Sequence, residues 1–234
     1  MRKEPFSIDS YVHVYKRGAR QSPIVRDDAD RWRFLRLLHY LNDANVPRNW
    51  ERELSLEELR AFLRPDGWPE PKPYVSVLAY CLLDNHFHLL LREREEGGIA
   101  KFMQRLCTSM SANFNAKYQE NGTLFQGAYQ ARTVQSDDQL RYLSAYIQLK
   151  NTLDMHPEGF DRAVRDIESA MRWALAYPFS SYGDYIREPR AFILDTTLIT
   201  DILETGDAFE RLARDLVASR AAVLEEISNL LLDD

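Results

Sequence analysis

The chain has 234 residues, of which 45% are hydrophobic and 28% charged, and a formal net charge of −6. That length can bury a substantial core, as one domain or as one domain with an appendage, and the composition is ordinary for a globular protein. The longest apolar runs fall far short of a membrane span, MRKEPFSIDS lacks the apolar stretch of a signal peptide, and Cys81 and Cys107 are too few for a disulfide framework or a Cys-rich zinc motif. The expectation is a cytoplasmic protein with reduced core thiols and no membrane contact.

Charge is uneven along the chain. Residues 1–152 hold 22 Lys and Arg against 19 Asp and Glu, a balance of +3, whereas residues 153–234 hold 8 against 17, a balance of −9. Neither balance defines a partner, but Lys16, Arg17 and Arg20 can form a local phosphate-facing patch.

YVHVYKRG (11–18) alternates and ends in glycine, so it reads as a strand. DDADRWRFLRLLHYLNDAN (27–45) reads as a helix, with Trp32, Leu35, Leu38 and Leu41 at helical spacing and acidic residues in its first turn. SLEEL (55–59) carries a serine cap followed by two glutamates, and RPDGWPEPKP (64–73) reads as an exposed loop. Residues 74–93 give two strand-like runs separated by Asp84 and Asn85, a hairpin that starts its second strand at His86. A long helix follows over 97–122. Ile99, Met103, Leu106, Met110 and Phe114 form its apolar stripe, and Lys101, Arg105 and Lys117 its polar side.

A short strand is expected near 129–134, then a helix over 136–153 with a serine cap and an acidic first turn. Beyond it, 161–175, 195–204 and 209–232 read as helical, the last with apolar spacing at Phe209, Leu212, Leu216, Val223 and Ile227. The aromatic stretch YPFSSYGDYIREP (177–189) reads as a loop. The order β-α-(insert)-β-β-α-β-α is that of a split βαβ unit, with helices on one side of an antiparallel sheet and the other face available for ligand. The fold class is α+β.

The pair His86-Phe87-His88 draws attention in a chain with five histidines. On a strand both rings point to one face, where they are either half-buried hydrogen-bonded groups or the two-imidazole part of an open divalent-metal site. Two ligands are too few for a structural zinc. On the helix over 136–153, Tyr142 and Tyr146 are four apart and share a side, with Gln148 and Lys150 just beyond.

Taken in order, CLLDNHFHLLL, then ANFNAKYQENG leading into GTLFQGAYQARTV, then AYIQLKN, and finally YPFSSYGDYI resemble the single-tyrosine HUH transposases of the IS200-like family. The likeness is strongest to the branch of REP-associated tyrosine transposases, and it runs over roughly residues 8–186. It implies an RRM-like or ferredoxin-like sheet, action on single-stranded or hairpin DNA, a homodimer, and Mg²⁺ or Mn²⁺ as cofactor. By the same resemblance His86 and His88 match the metal-binding pair and Tyr146 the nucleophile, which would form a 5′-phosphotyrosine and release a 3′-hydroxyl. Residues 1–157 would form the catalytic domain and 158–234 an acidic helical extension.

Four positions depart from the family pattern. Lys150 stands where relatives carry an amide ligand, and an ammonium has three donors and no acceptor. Gln148, where histidine is common, is the candidate for a further oxygen ligand. Asn151 replaces a proline and enters only if the helix end is distorted, and Ala128 replaces an arginine after the Gln-Gly pair. Lys16, Arg17, Arg20, Arg105, Lys117 and Lys150 are the candidate phosphate contacts. The competing readings are a catalytically weakened or domesticated DNA-binding relative, and an RRM-like RNA-binding module or structural protein, although no RNP motif is evident.

Overall fold

Period-two alternation sets the sheet. In a computed structural model, which describes residues 6–187, 190, 192–203 and 205–219, β1 (Tyr11–Arg17), β2 (Val75–Leu82), β3 (His86–Glu93) and β4 (Gln130–Thr133) form one antiparallel sheet in the order β2-β3-β1-β4. The register sets Tyr15 opposite His88, Arg17 opposite His86 and His13 opposite Leu90. Opposed residues share a face, so His13, Tyr15, Arg17, His86 and His88 all lie on one side of the central strand pair. β1 ends at Gly18, whose missing Cβ is needed because a methyl there would meet the Ser22 carbonyl oxygen at 2.1 Å.

The opposite face carries the main core. Val12, Val14, Phe87, Leu89 and Leu91 are buried there beneath α1 (Asp28–Tyr40) and α4 (Gly98–Tyr118), with Phe34 of α1 meeting Phe87 at 5.1 Å between ring centroids. All five residues of the apolar stripe expected for the long helix are buried. Of the stripe expected for α1, Leu35, Leu38 and Leu41 are buried, joined by Phe34 and Leu37, whereas Trp32 is 38% exposed and rests edge-on against Phe179. α1 also stops before residue 45, because Asn42 exchanges two hydrogen bonds with the Val75 backbone and Ala44 donates to the Lys72 carbonyl. Those partners draw the chain out of the helix.

The insert folds as α2 (Trp50–Glu53) and α3 (Leu56–Ala61), the latter opened by a reciprocal Ser55–Glu58 capping box. The stretch expected as one helix over 136–153 is divided. α5 (Asp137–Ala145), capped by Ser136, passes into a π turn over Tyr146–Lys150 and then α6 (Asn151–Leu153). In the π turn the Asn151 N–H reaches the Tyr146 carbonyl, five residues back. The Gln148 carbonyl accepts from the hydroxyls of Thr152 (2.5 Å) and Ser180 (2.9 Å). Side chains thereby satisfy a buried acceptor that sequence periodicity assigns to a continuing helix.

The extension contains α7 (Phe160–Ala163), α8 (Ile167–Ala176), α9 (Tyr182–Ile186), α10 (Thr196–Ile202) and α11 (Gly206–Ser219). α9 falls inside the aromatic stretch expected as loop. Arg190 braces that stretch, donating to Asp184 and to the carbonyls of Pro178 and Ser180. α11 packs on α5, the π turn and α9, with Phe209 against Tyr182 and Tyr185. Phe209 and Leu216 are buried as the apolar spacing requires, while Val223 and Ile227 lie outside the described residues. Among the described residues, no helix is long and apolar enough to cross a membrane.

Candidate active site

The strand half of the site is built by the sheet. His86 is half-buried at the start of β3 and His88 is buried two residues on, with their rings 5.1 Å apart. Asn85 holds the first ring: its Nδ2 donates to the Gln21 carbonyl, which leaves Oδ1 for His86 Nδ1 at 2.6 Å. His88 Nδ1 lies 2.9 Å from Nε2 of His13, a buried β1 histidine that stacks on it at 5.1 Å. Tyr15 touches both rings, at 5.3 Å from His86 and 4.8 Å from His88, and the Arg17 guanidinium lies over the Tyr15 ring. Burial, together with the neighbouring His13, His86, Lys150 and Arg17, pushes the His88 pKa well below its ordinary value. His88 is therefore neutral at physiological pH, the form an imidazole ligand needs.

His13, Tyr15 and Arg17 are the residues that motif reasoning passed over as a group. The available signal was their i, i+2 spacing in YVHVYKR, combined with antiparallel pairing of that strand to the one carrying the histidine pair.

The helical half comes from the π turn, which packs against β2 and β3 on the histidine side of the sheet. Cys81, opposite His88 on β2, lies 3.5 Å from the Thr152 hydroxyl, and burial raises its thiol pKa to about 12. Tyr146 is only 2% exposed, with the Lys150 ammonium 5.2 Å from its ring centroid. Lys150 also pairs with Asp154 at 2.8 Å, and its charge is felt at His88. One lysine thus lies between the two halves of the site. Gln148, the candidate oxygen ligand, is buried with its amide engaged: Nε2 donates to Ser144 (2.8 Å) and Oε1 accepts from Ser181 (2.9 Å). Asn151 is buried as well, and its Nδ2 has no hydrogen-bond partner among the described residues.

The other basic candidates are dispersed. Lys16 is buried on the core side of β1, donating to the Gly127 carbonyl over the Phe125 ring, and burial lowers its pKa. Arg105 is bonded to the Tyr74 hydroxyl at 3.0 Å, and Lys117 bridges Asp27 and Asp30. Arg20 is exposed, with a left-handed backbone (φ 57°), and borders two adjoining grooves of about 400 and 550 Å³ between residues 19–26 and 114–127. These loops meet the histidine strand: Gly18 N–H donates to the Asn85 carbonyl and Gln126 N–H to the Arg17 carbonyl. Another cleft, about 510 Å³, borders Lys150 and has a lining of mixed charge, with Asp154, Glu158 and Asp161 beside Lys150 and Arg162.

A ligating imidazole normally has its second nitrogen hydrogen-bonded, and His86 and His88 both do. Among the described residues, no group of three or more His, Cys, Asp or Glu side chains is arranged to hold a metal ion. The two histidines supply two imidazole nitrogens, a donor type that Mn²⁺ accepts more readily than Mg²⁺, and any further ligands would have to come from elsewhere.

The sheet thus carries an imidazole pair on one face, and the turn that bears the buried Tyr146 packs against the same strands. Residues 71–150, which include His86, His88 and Tyr146, match the family model described as IS200-like transposase. No curated protein matches the chain significantly. Among solved structures, the chain is similar to a REP-associated tyrosine transposase bound to a REP hairpin, with 11% identity and a TM-score of 0.40 over 80% of this chain and 84% of that one.

Proposed function

We propose that this protein cleaves and rejoins single-stranded DNA through a covalent tyrosine–DNA intermediate, at sequences that bear hairpins. The observation that carries the reading is that one family match spans both the histidine pair and Tyr146. The packing of the π turn on β2 and β3 supports it. In this reading residues 1–157 are the catalytic domain, 158–234 an acidic extension, and the working unit a homodimer.

His86 and His88 would hold a Mg²⁺ or Mn²⁺ ion, which when bound supplies charge stabilisation to a phosphate oxygen. The Tyr146 phenol attacks phosphorus; a Tyr146 Oη–P bond forms and the P–O3′ bond breaks, so the 3′ oxygen leaves and takes a proton. Retaining the phosphoryl group on Tyr146 preserves the energy of the broken linkage, and a 3′-hydroxyl later reverses the step without a nucleotide cofactor. The Lys150 ammonium, 5.2 Å from the Tyr146 ring centroid, is the cation placed to offset negative charge on the attacking oxygen. Arg17 and Arg20, beside β3 and on the groove rim, are the phosphate contacts this geometry favours. Tyr146 is reached by a phosphate only after the turn uncovers it.

Burial of Tyr146 and the lysine at position 150 favour a second reading, in which the chain binds such DNA without cutting it. One experiment separates them. Wild-type protein with Mn²⁺ and hairpin-bearing single-stranded DNA should give an adduct that survives denaturing electrophoresis, and Tyr146→Phe should give none. An adduct from Y146F refutes the assignment and makes Tyr142 the next residue to test. Tight binding by wild type with no cleavage selects the second reading.

A further inference from the structure

His13 lies outside the histidine pair, 75 positions before His88 in the chain, yet its Nε2 lies 2.9 Å from His88 Nδ1 and the two buried rings stack at 5.1 Å. From this buried contact we infer that His13 is a positioning residue of the site: its Nε2 accepts from His88 Nδ1–H and holds His88 in the tautomer whose Nε2 carries the lone pair. The inference rests on the metal-site reading for its purpose, though not for its first readout.

One hydrogen bond between two imidazoles has two possible directions. If His13 donates, His88 keeps its proton on Nε2 and is useless as a ligand through that atom; if His88 donates, Nε2 is a ligand. The neighbouring ring indicates which holds. Asn85 Nδ2 is committed to the Gln21 carbonyl, so its amide orientation is set and Oδ1 faces His86. An amide oxygen only accepts, so His86 Nδ1 must donate, and His86 has its lone pair on Nε2. A site that uses both rings together needs His88 in the same form, and His13 is the partner in place at His88 Nδ1. Both rings of the dyad are fully buried, so water does not compete for the bond. Tyr15, packed on both rings of the pair, limits their rotation while the hydrogen bonds choose the proton positions.

The test uses the full chain labelled with ¹⁵N-histidine and free of metal, with His88 signals assigned by their loss in His88→Asn. Long-range ¹H–¹⁵N spectra should show His88 protonated on Nδ1 in wild type. A His88 proton on Nε2 overturns the inference without any further variant. Mn²⁺ binding, read by paramagnetic resonance of the free ion, should weaken about 10- to 100-fold in His13→Phe, as for other outer-shell partners. In His13→Gln, which retains an acceptor oxygen, most of the affinity should return. Affinity in H13F within twofold of wild type overturns the inference. His86→Asn separates the two levels. If H86N loses Mn²⁺ while H13F keeps it, the positioning role fails and the metal reading stands; if H86N also keeps wild-type affinity, the metal reading itself fails.

Discussion

The two halves of the candidate site are held by different kinds of bond. The histidine half belongs to the centre of a sheet, where β3 pairs on both sides and the register places Tyr15 and Arg17 opposite His88 and His86. The tyrosine half sits on a π turn whose Gln148 carbonyl is satisfied by hydroxyls, Thr152 of the following α6 and Ser180 thirty-two residues on. A sheet ladder shifts only by breaking many bonds together, whereas two hydroxyl contacts can exchange singly. The comparison teaches that, under the proposed function, the histidine half is in place beforehand, whereas Tyr146, buried in its turn, would have to be uncovered before it could react.

The largest expected effect comes from breaking the covalent half alone. Tyr146→Phe should lower adduct formation by a factor on the order of 10³ or more, while its circular dichroism and melting temperature stay close to wild type. A folded Y146F protein with adduct near wild-type yield would remove Tyr146 from the site. Chelating divalent ions should abolish the adduct to the same extent without changing the melting temperature, since the sheet holds the histidines through their own hydrogen bonds.

The next effect tests whether hydroxyl contacts hold the turn. Ser181→Ala leaves the buried Gln148 Oε1 without its donor and should cost about 1–3 kcal/mol, read from the urea midpoint. Nitration of Tyr146 by tetranitromethane should also accelerate relative to Tyr177, which is anchored separately to the Leu82 carbonyl. Equal nitration rates in S181A and wild type would mean that the turn is held by its packing and not by this contact.

A smaller effect is expected far from the turn, at the α1–α4 junction. Burial raises the Asp30 pKa, but hydrogen bonds from Lys117 and Tyr118 outweigh it and hold the carboxyl below its ordinary value. A depressed carboxylate contributes stability that is complete above its unfolded pKa of about 4 and disappears as pH falls through the folded value. The wild-type urea midpoint should therefore drop more steeply below about pH 4 than that of Asp30→Asn; parallel profiles would contradict it. The smallest change in stability is expected for Lys150→Ala. Its i, i+4 pair with Asp154 is partly exposed and should contribute less than about 0.5 kcal/mol. A slower adduct rate in K150A at unchanged stability would assign Lys150 to the chemistry, whereas unchanged cleavage and unchanged DNA affinity would leave it no part in either.

Much of the scaffold was legible from local pattern. Alternation marked β1, the Asp84–Asn85 turn marked where β3 starts, the Ser55 and Ser136 caps marked where their helices start, and the apolar stripe of α4 is buried at all five expected positions. Local pattern failed where a distant partner intervened. α1 ends early because Val75 and Lys72 capture Asn42 and Ala44, and α9 forms in an aromatic stretch braced by Arg190. Lys16 carries a charge suited to phosphate, yet the inward pleat of β1 sends it to the Gly127 carbonyl.

By itself the sequence determined that His86 and His88 share a face, because side chains on a strand repeat every two residues whatever the rest of the fold does. It likewise determined that Tyr146 lies on a helical segment with Gln148 and Lys150 close behind it. Only the tertiary structure decided that His13 meets His88, that Gln148 turns its amide to Ser144 and Ser181, and that Tyr146 is buried in a π turn. Each of these depends on strand register or on a hydroxyl delivered from elsewhere in the chain. The physical reason is that side-chain periodicity is a local property of the backbone, while the partner of a buried polar atom is chosen by whatever the completed fold brings within hydrogen-bonding distance.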